Sequence, residues 1–103
     1  MSEIYFDIMS KLNKRIYVTK LRWDLIIKTK HLEIEDKEKE VKETLINPDE
    51  IRLNKKDASV YIYYKHYKKL SLSVVVKNKN GEGFIITSYY TDRIKEGKQI
   101  YKR

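Results

Sequence analysis

Apolar residues recur along this chain at two different periods, and the change from one to the other divides it near residue 48. In the first half the spacing is helical. Ile4, Ile8 and Leu12 stand four apart, which suits a short helix, although the Ile-Tyr-Phe opening is equally compatible with a strand. Arg15 to Val18 reads as a brief extended piece. Thr19 is then placed to cap a helix through Leu21, Trp23, Leu25, Ile26 and Ile27 to about Lys30. A second helix follows, with Ile34, Val41 and Leu45 on one face and the pairs Glu35/Lys39 and Glu38/Lys42 on the other. Pro48 stops it, because its ring disfavours helical geometry at Asn47.

Beyond Pro48 the period is two. Ile51 and Leu53, then Val60, Ile62 and Tyr64, then Leu70, Leu72, Val74 and Val76 alternate with polar or mixed positions. The glycine-rich NKNGEG at 78–83 predicts a hairpin turn into a fourth strand, Phe84 to Tyr90, and Gln99 to Lys102 predicts a short closing strand. The expected fold class is α+β, with N-terminal helices packed on one face of a four-stranded antiparallel β-meander. Strand phase leaves an open face of Tyr61, Tyr63, Lys65, Ser73, Lys77, Thr87, Tyr89 and Thr91, and sends Val60, Ile62, Tyr64, Phe84, Ile86 and Ser88 inward.

The 103 residues are expected to form a single domain, 1–103. No apolar run is long enough to span a bilayer and the N-terminus lacks a secretory signal pattern, so a cytoplasmic location and no membrane partner are expected. The absence of cysteine removes disulfides, thiolate metal sites and cysteine nucleophiles. No His or carboxylate cluster has metal-ligand spacing, so neither a metal nor another cofactor is expected.

Charge changes the picture more. Residues 1–50 carry 10 Lys and Arg against 11 Asp and Glu, a net of −1, whereas residues 51–103 carry 13 against 4, a net of +9. A basic surface gains affinity for phosphates through counterion release, so RNA is the expected partner. Tyrosines and lysines on a sheet face suit single-stranded RNA, whose bases stack on rings while ammonium groups meet phosphates. Metal-free cleavage needs in addition a base for the 2′-hydroxyl, an acid for the leaving 5′-oxygen and cations for the phosphate. His31 is the first candidate for proton transfer, with Tyr63 or Tyr89 behind it; Lys65, Lys77, Arg22 and Arg93 are candidate cations. His66 is assigned no chemistry.

The succession RW (22–23), H-x-E (31–33), ETL-x-NPD-x-I (43–51), YIYYK (61–65), VVVK (74–77) and FIIT-x-Y-x-TD-x-IK-x-G (84–97) resembles the phage-associated nuclease domains grouped with barnase, EndoU, colicin and RelE-type toxins. The resemblance covers about Arg15 to Tyr101. It implies helices before a four-stranded sheet and, in many members, metal-independent endoribonuclease activity, with an antitoxin or inhibitor protein as a further partner. Two positions depart from the pattern: Leu25 stands where a second histidine is expected, and Leu32 replaces the proline of H-P-E. The expected catalytic set is His31, Lys77, Lys65, Tyr89 and Thr87, with Arg22, Tyr63, Thr91 and Arg93 holding substrate. The alternatives are a non-catalytic nucleic-acid-binding module using the same face and a domain that docks an acidic protein partner.

Overall fold

Thr19 begins the first helix as its hydroxyl chemistry requires: Oγ1 accepts a hydrogen bond from the Arg22 N–H at 3.1 Å, in an extended backbone conformation. The computed structural model describes residues 3–94 and 97–103. Among these, strand β1 (Ile4–Met9) and strand β2 (Arg15–Thr19) form an antiparallel hairpin ahead of helix α1 (Lys20–Leu25). The opening segment is therefore a strand. Its alternation decides the matter, since Phe6 and Ile8 pack into the core while Tyr5 and Met9 are exposed.

Helix α1 widens into a single π turn, Ile26–Lys30, and a 3₁₀ turn, Leu32–Ile34, follows. Helix α2 (Glu38–Ile46) buries Val41 and Leu45 and ends at Asn47 before the proline, but it starts later than expected, so Ile34 of the expected stripe and Glu35 of the pair Glu35/Lys39 lie outside it, in and just after the 3₁₀ turn. Strands β3 (Glu50–Leu53), β4 (Val60–His66), β5 (Ser71–Lys79), β6 (Glu82–Thr91) and β7 (Gln99–Lys102) complete the chain. The β5–β6 hairpin closes with the two-residue turn Asn80-Gly81, whose φ angles of 54° and 84° are those that Asn and Gly tolerate best.

The seven strands lie in the order β1-β2-β6-β5-β4-β3-β7, with every neighbouring pair antiparallel except β2 and β6, which are parallel. This corrects the expected architecture: the sheet is mixed and seven-stranded, and only two short α-helices accompany it. The N-terminal hairpin joins the sheet rather than the helical layer. The sheet also curls. The β1–β2 turn reaches across α2, where the Lys11 N–H donates to the Leu45 carbonyl at 2.9 Å, and on to β4, where the Tyr63 hydroxyl donates to Ser10 Oγ at 3.0 Å.

Two apolar clusters result, one on each face. The main core lies on the helix side and holds Ile16, Val18, Trp23, Ile26, Ile34, Val41, Leu45, Ile51, Tyr63, Leu72, Val74, Val76 and Ile85. A smaller cluster on the far side comprises Val60, Ile62, Tyr64 and Val75, with Ile86, Tyr89 and Ile94 against it. The expectation of an open far face is thus corrected. Ile94, beyond the end of β6, packs on the far cluster. Gly97 is fixed beside β3, where a Cβ would stand 2.1 Å from the Leu53 carbonyl oxygen.

The covering explains an inverted strand. Because β4 is buried on both faces, its apolar residues do not mark the helix side. Ile62 and Tyr64 belong to the far cluster, and Tyr61 and Tyr63 face the helices. In β6 an irregularity sets Ile85 opposite Val76 but Thr87 opposite Val75, so Ile86 is the extra residue of a bulge. The bulge lets Ile85 face the main core while Thr87 faces the far side.

Candidate functional site

The site is built around the position of His31. The π turn closes with the His31 N–H donating to the Ile26 carbonyl at 2.7 Å, and π turns inserted in helices recur at functional sites. On either side the chain is nailed into the main core by Ile26 and Ile34, which are 1% and 0% exposed. Little freedom is left between them. Strand β2 pairs with β6 only at Ile16–Gly83 and Tyr17–Phe84, which leaves the later part of that β6 edge to the 3₁₀ turn. His31 therefore reaches Tyr89: the ring centroids are 5.3 Å apart and the planes inclined by 31°. Glu33 completes the local set, with Oε2 3.4 Å from His31 Nδ1.

Tyr89 lies on the far face, opposite Ser73 and then Tyr64 in the sheet register. Two residues away, Thr87 faces the same way, and its Oγ1 is buried with no hydrogen-bond partner among the described residues. Such an atom costs stability in the isolated chain. Lys77 is on this face too, opposite Phe84, but its ammonium is held 2.8 Å from Asp57 Oδ2. The lysine and Ser59 together hold the Asp57 carboxyl well below the usual carboxylate range. Thr91 is also on the far face; its Oγ1 accepts from the Arg93 N–H and donates to the Arg93 carbonyl, a local turn that leaves the Arg93 side chain at the surface.

Three expected residues do not join this set. Tyr63 is fully buried on the helix side, where burial raises the pKa of its hydroxyl. Lys65 is likewise on the helix side, in register with Leu72 and Tyr90, and its Nζ donates to the Asn47 carbonyl at 2.8 Å, just past the end of α2. That is a place where a cation offsets the helix dipole. Arg22 sits half-buried on α1 with its backbone N–H on the Thr19 cap.

Sequence reasoning also passed over residues that the fold brings together. His66 ends β4 with its ring stacked on Tyr64, Nδ1 2.7 Å from Ser71 Oγ and Nε2 3.5 Å from Glu50 Oε2. Glu50 is nearly buried, and Arg52 Nε and Gln99 Nε2 donate to its carboxylate at 2.6 and 3.2 Å. The pairing of β3 with β4 and β7, and of β4 with β5, creates this network. Tyr17 and Phe84 are the other omission, adjacent on the far face with ring centroids 6.1 Å apart. No group of three His, Asp or Glu among the described residues is arranged to hold a metal, and no described helix is long and apolar enough to cross a membrane.

Fold and site together define a small mixed-sheet domain with a partly covered sheet face and a histidine at its margin. Comparison with known proteins adds no relative: no family model, curated protein or solved structure matches the chain.

Proposed function

We propose that this chain is a metal-independent endoribonuclease-type domain that works at the far-face margin formed by His31, Tyr89 and Thr87. The observation that carries the reading is the contact of His31 with Tyr89, which brings together a turn and a strand 58 positions apart. The net charge of +9 on residues 51–103 supports RNA as the substrate, and the sequence resemblance to barnase, EndoU, colicin and RelE-type nucleases supports cleavage.

In this reading His31 takes the proton of the 2′-hydroxyl, the 2′-oxygen bonds to the adjacent phosphorus, and the bond from phosphorus to the 5′-oxygen breaks. The leaving oxygen receives a proton from Tyr89, whose hydroxyl is buried in the free chain and is uncovered when the substrate binds. A 2′,3′-cyclic phosphate and a new 5′-hydroxyl end result. Thr87 Oγ1 donates to a phosphate oxygen once the substrate uncovers it, while Lys77, in register with Phe84 rather than with Tyr89, exchanges its contact with Asp57 for the phosphate of a neighbouring nucleotide. Glu33 orients the imidazole through Nδ1.

Labelled single-stranded RNA incubated with the protein in chelator tests the proposal through the appearance of cyclic-phosphate ends. A second reading, RNA binding without cleavage, is favoured by the packing of Ile94 over the far cluster, which narrows the accessible face. In that case the labelled RNA shifts on a gel and stays intact.

A further inference from the structure

At the other end of the far face, where β2 meets β6, an aromatic cleft of about 230 Å³ is lined by Tyr17, Phe84, Lys79, Asn80, Glu82 and Gly83. We infer that it is a nucleobase-stacking subsite for single-stranded RNA, a role that rests on the reading of the far face given above.

The rings of Tyr17 and Phe84 are tilted by 41° with centroids 6.1 Å apart. At that distance they touch each other, so a base lies on the platform they form rather than between them. The guanidinium of Arg15 lies over one face of the Tyr17 ring, 5.2 Å from its centre, so a base meets the stacked pair rather than that face of the bare ring. Arginine planes stack on bases much as rings do. This arginine is also fixed in place, by Asp7 at 2.8 Å and Glu82 at 3.2 Å.

Those two carboxylates decide which part of a nucleotide enters. They neutralise Arg15 and repel a phosphate, whereas a base edge bearing amino or imino hydrogens offers donors to Glu82. Phosphates instead meet the lysines outside, Lys79 at the rim and Lys77 opposite Phe84 in the β5–β6 register. Gly83 makes the arrangement possible from beneath. A Cβ there would lie 2.7 Å from Val76 Cγ1 and 2.8 Å from Ile16 Cδ1, so a larger residue would push β6 away from β2 and separate the two rings. Along β6, Phe84 and Tyr89 are about 15 Å apart at the usual strand rise, so base capture and proton transfer fall on different nucleotides of one bound strand.

The test measures binding of a fluorescent 2′-O-methyl oligoribonucleotide to the full chain by anisotropy, because that backbone has no 2′-hydroxyl to attack. Tyr17→Leu and Phe84→Leu should each weaken binding by about 5- to 150-fold, the range for loss of one stacked base. For the unaltered chain, an oligonucleotide with abasic positions should lose affinity by a similar factor, a measurement that does not depend on how a variant folds. Affinity indifferent to removal of the bases would overturn the subsite, as would unchanged affinity in both folded leucine variants. Absence of cleavage with base-dependent binding would instead remove the nuclease reading and leave the cleft standing.

Discussion

The imidazole of His31 packs on the ring of Tyr89 at 5.3 Å between centroids, although one ends a π turn and the other lies in strand β6. Ile26 and Ile34 anchor the histidine from both sides, so its position does not depend on the contact alone. His31→Ala should therefore unfold at nearly the wild-type temperature while losing about 10²- to 10⁴-fold in cleavage rate, with RNA affinity nearly unchanged. Single-turnover kinetics and a thermal melt of the same sample check both halves.

Tyr63→Phe separates the helix side of the sheet from the far side. The variant loses the hydrogen bond to Ser10 and should be less stable by about 1 kcal/mol in urea unfolding, with cleavage unaffected. Lys65→Met should behave alike, since its ammonium serves the Asn47 carbonyl. A loss of cleavage in either variant at full stability would place these residues back in the site.

The error that put Tyr63 and Lys65 on the wrong face shows what was legible in the chain and what was not. Local chemistry was readable: the Thr19 cap, the α2 stripe, the stop at Pro48 and the Asn80-Gly81 turn all depend on neighbours in sequence. The phase of β4 was not, because Ile62 and Tyr64 satisfy a second apolar cluster, with Val60 and Val75, on the far face. The bulge at Ile86 left Thr87 and Tyr89 correctly placed but sent Phe84 and Ile86 to the opposite side from that expected. His66 was assigned no chemistry because Glu50 reaches it through strand pairing, which the sequence does not display.

The ion pair of Asp57 with Lys77 links stability to pH and restrains binding. Its carboxyl titrates below the ordinary aspartate value of about 3.9, so its stabilisation is present above that pH and is lost only as pH falls through the depressed folded value. Asp57→Asn should thus lower the melting temperature at pH 5–7, with the difference from wild type shrinking in acid. At neutral pH the same variant frees Lys77 for phosphate. RNA binding should tighten, and the slope of log K against log salt should steepen by up to about 0.7 for one added contact to a single strand.

Covering of the far face by the β6–β7 connection is tested by Gly97→Ala. Its Cβ would collide with the Leu53 carbonyl, so the connection must move; a loss of about 1–3 kcal/mol is expected. Ile94→Ala should also destabilise, by exposing Val60, Ile62 and Val75. Urea denaturation measures both, and unchanged midpoints would mean that the far cluster is uncovered in solution.

The most direct measurement of the central claim is incubation of end-labelled single-stranded RNA with the wild-type chain and with His31→Ala in excess chelator, with product ends identified. Fragments bearing 2′,3′-cyclic phosphate are expected from the wild type and almost none from the variant. Intact RNA with the wild type, or equal cleavage by both proteins, would contradict that claim.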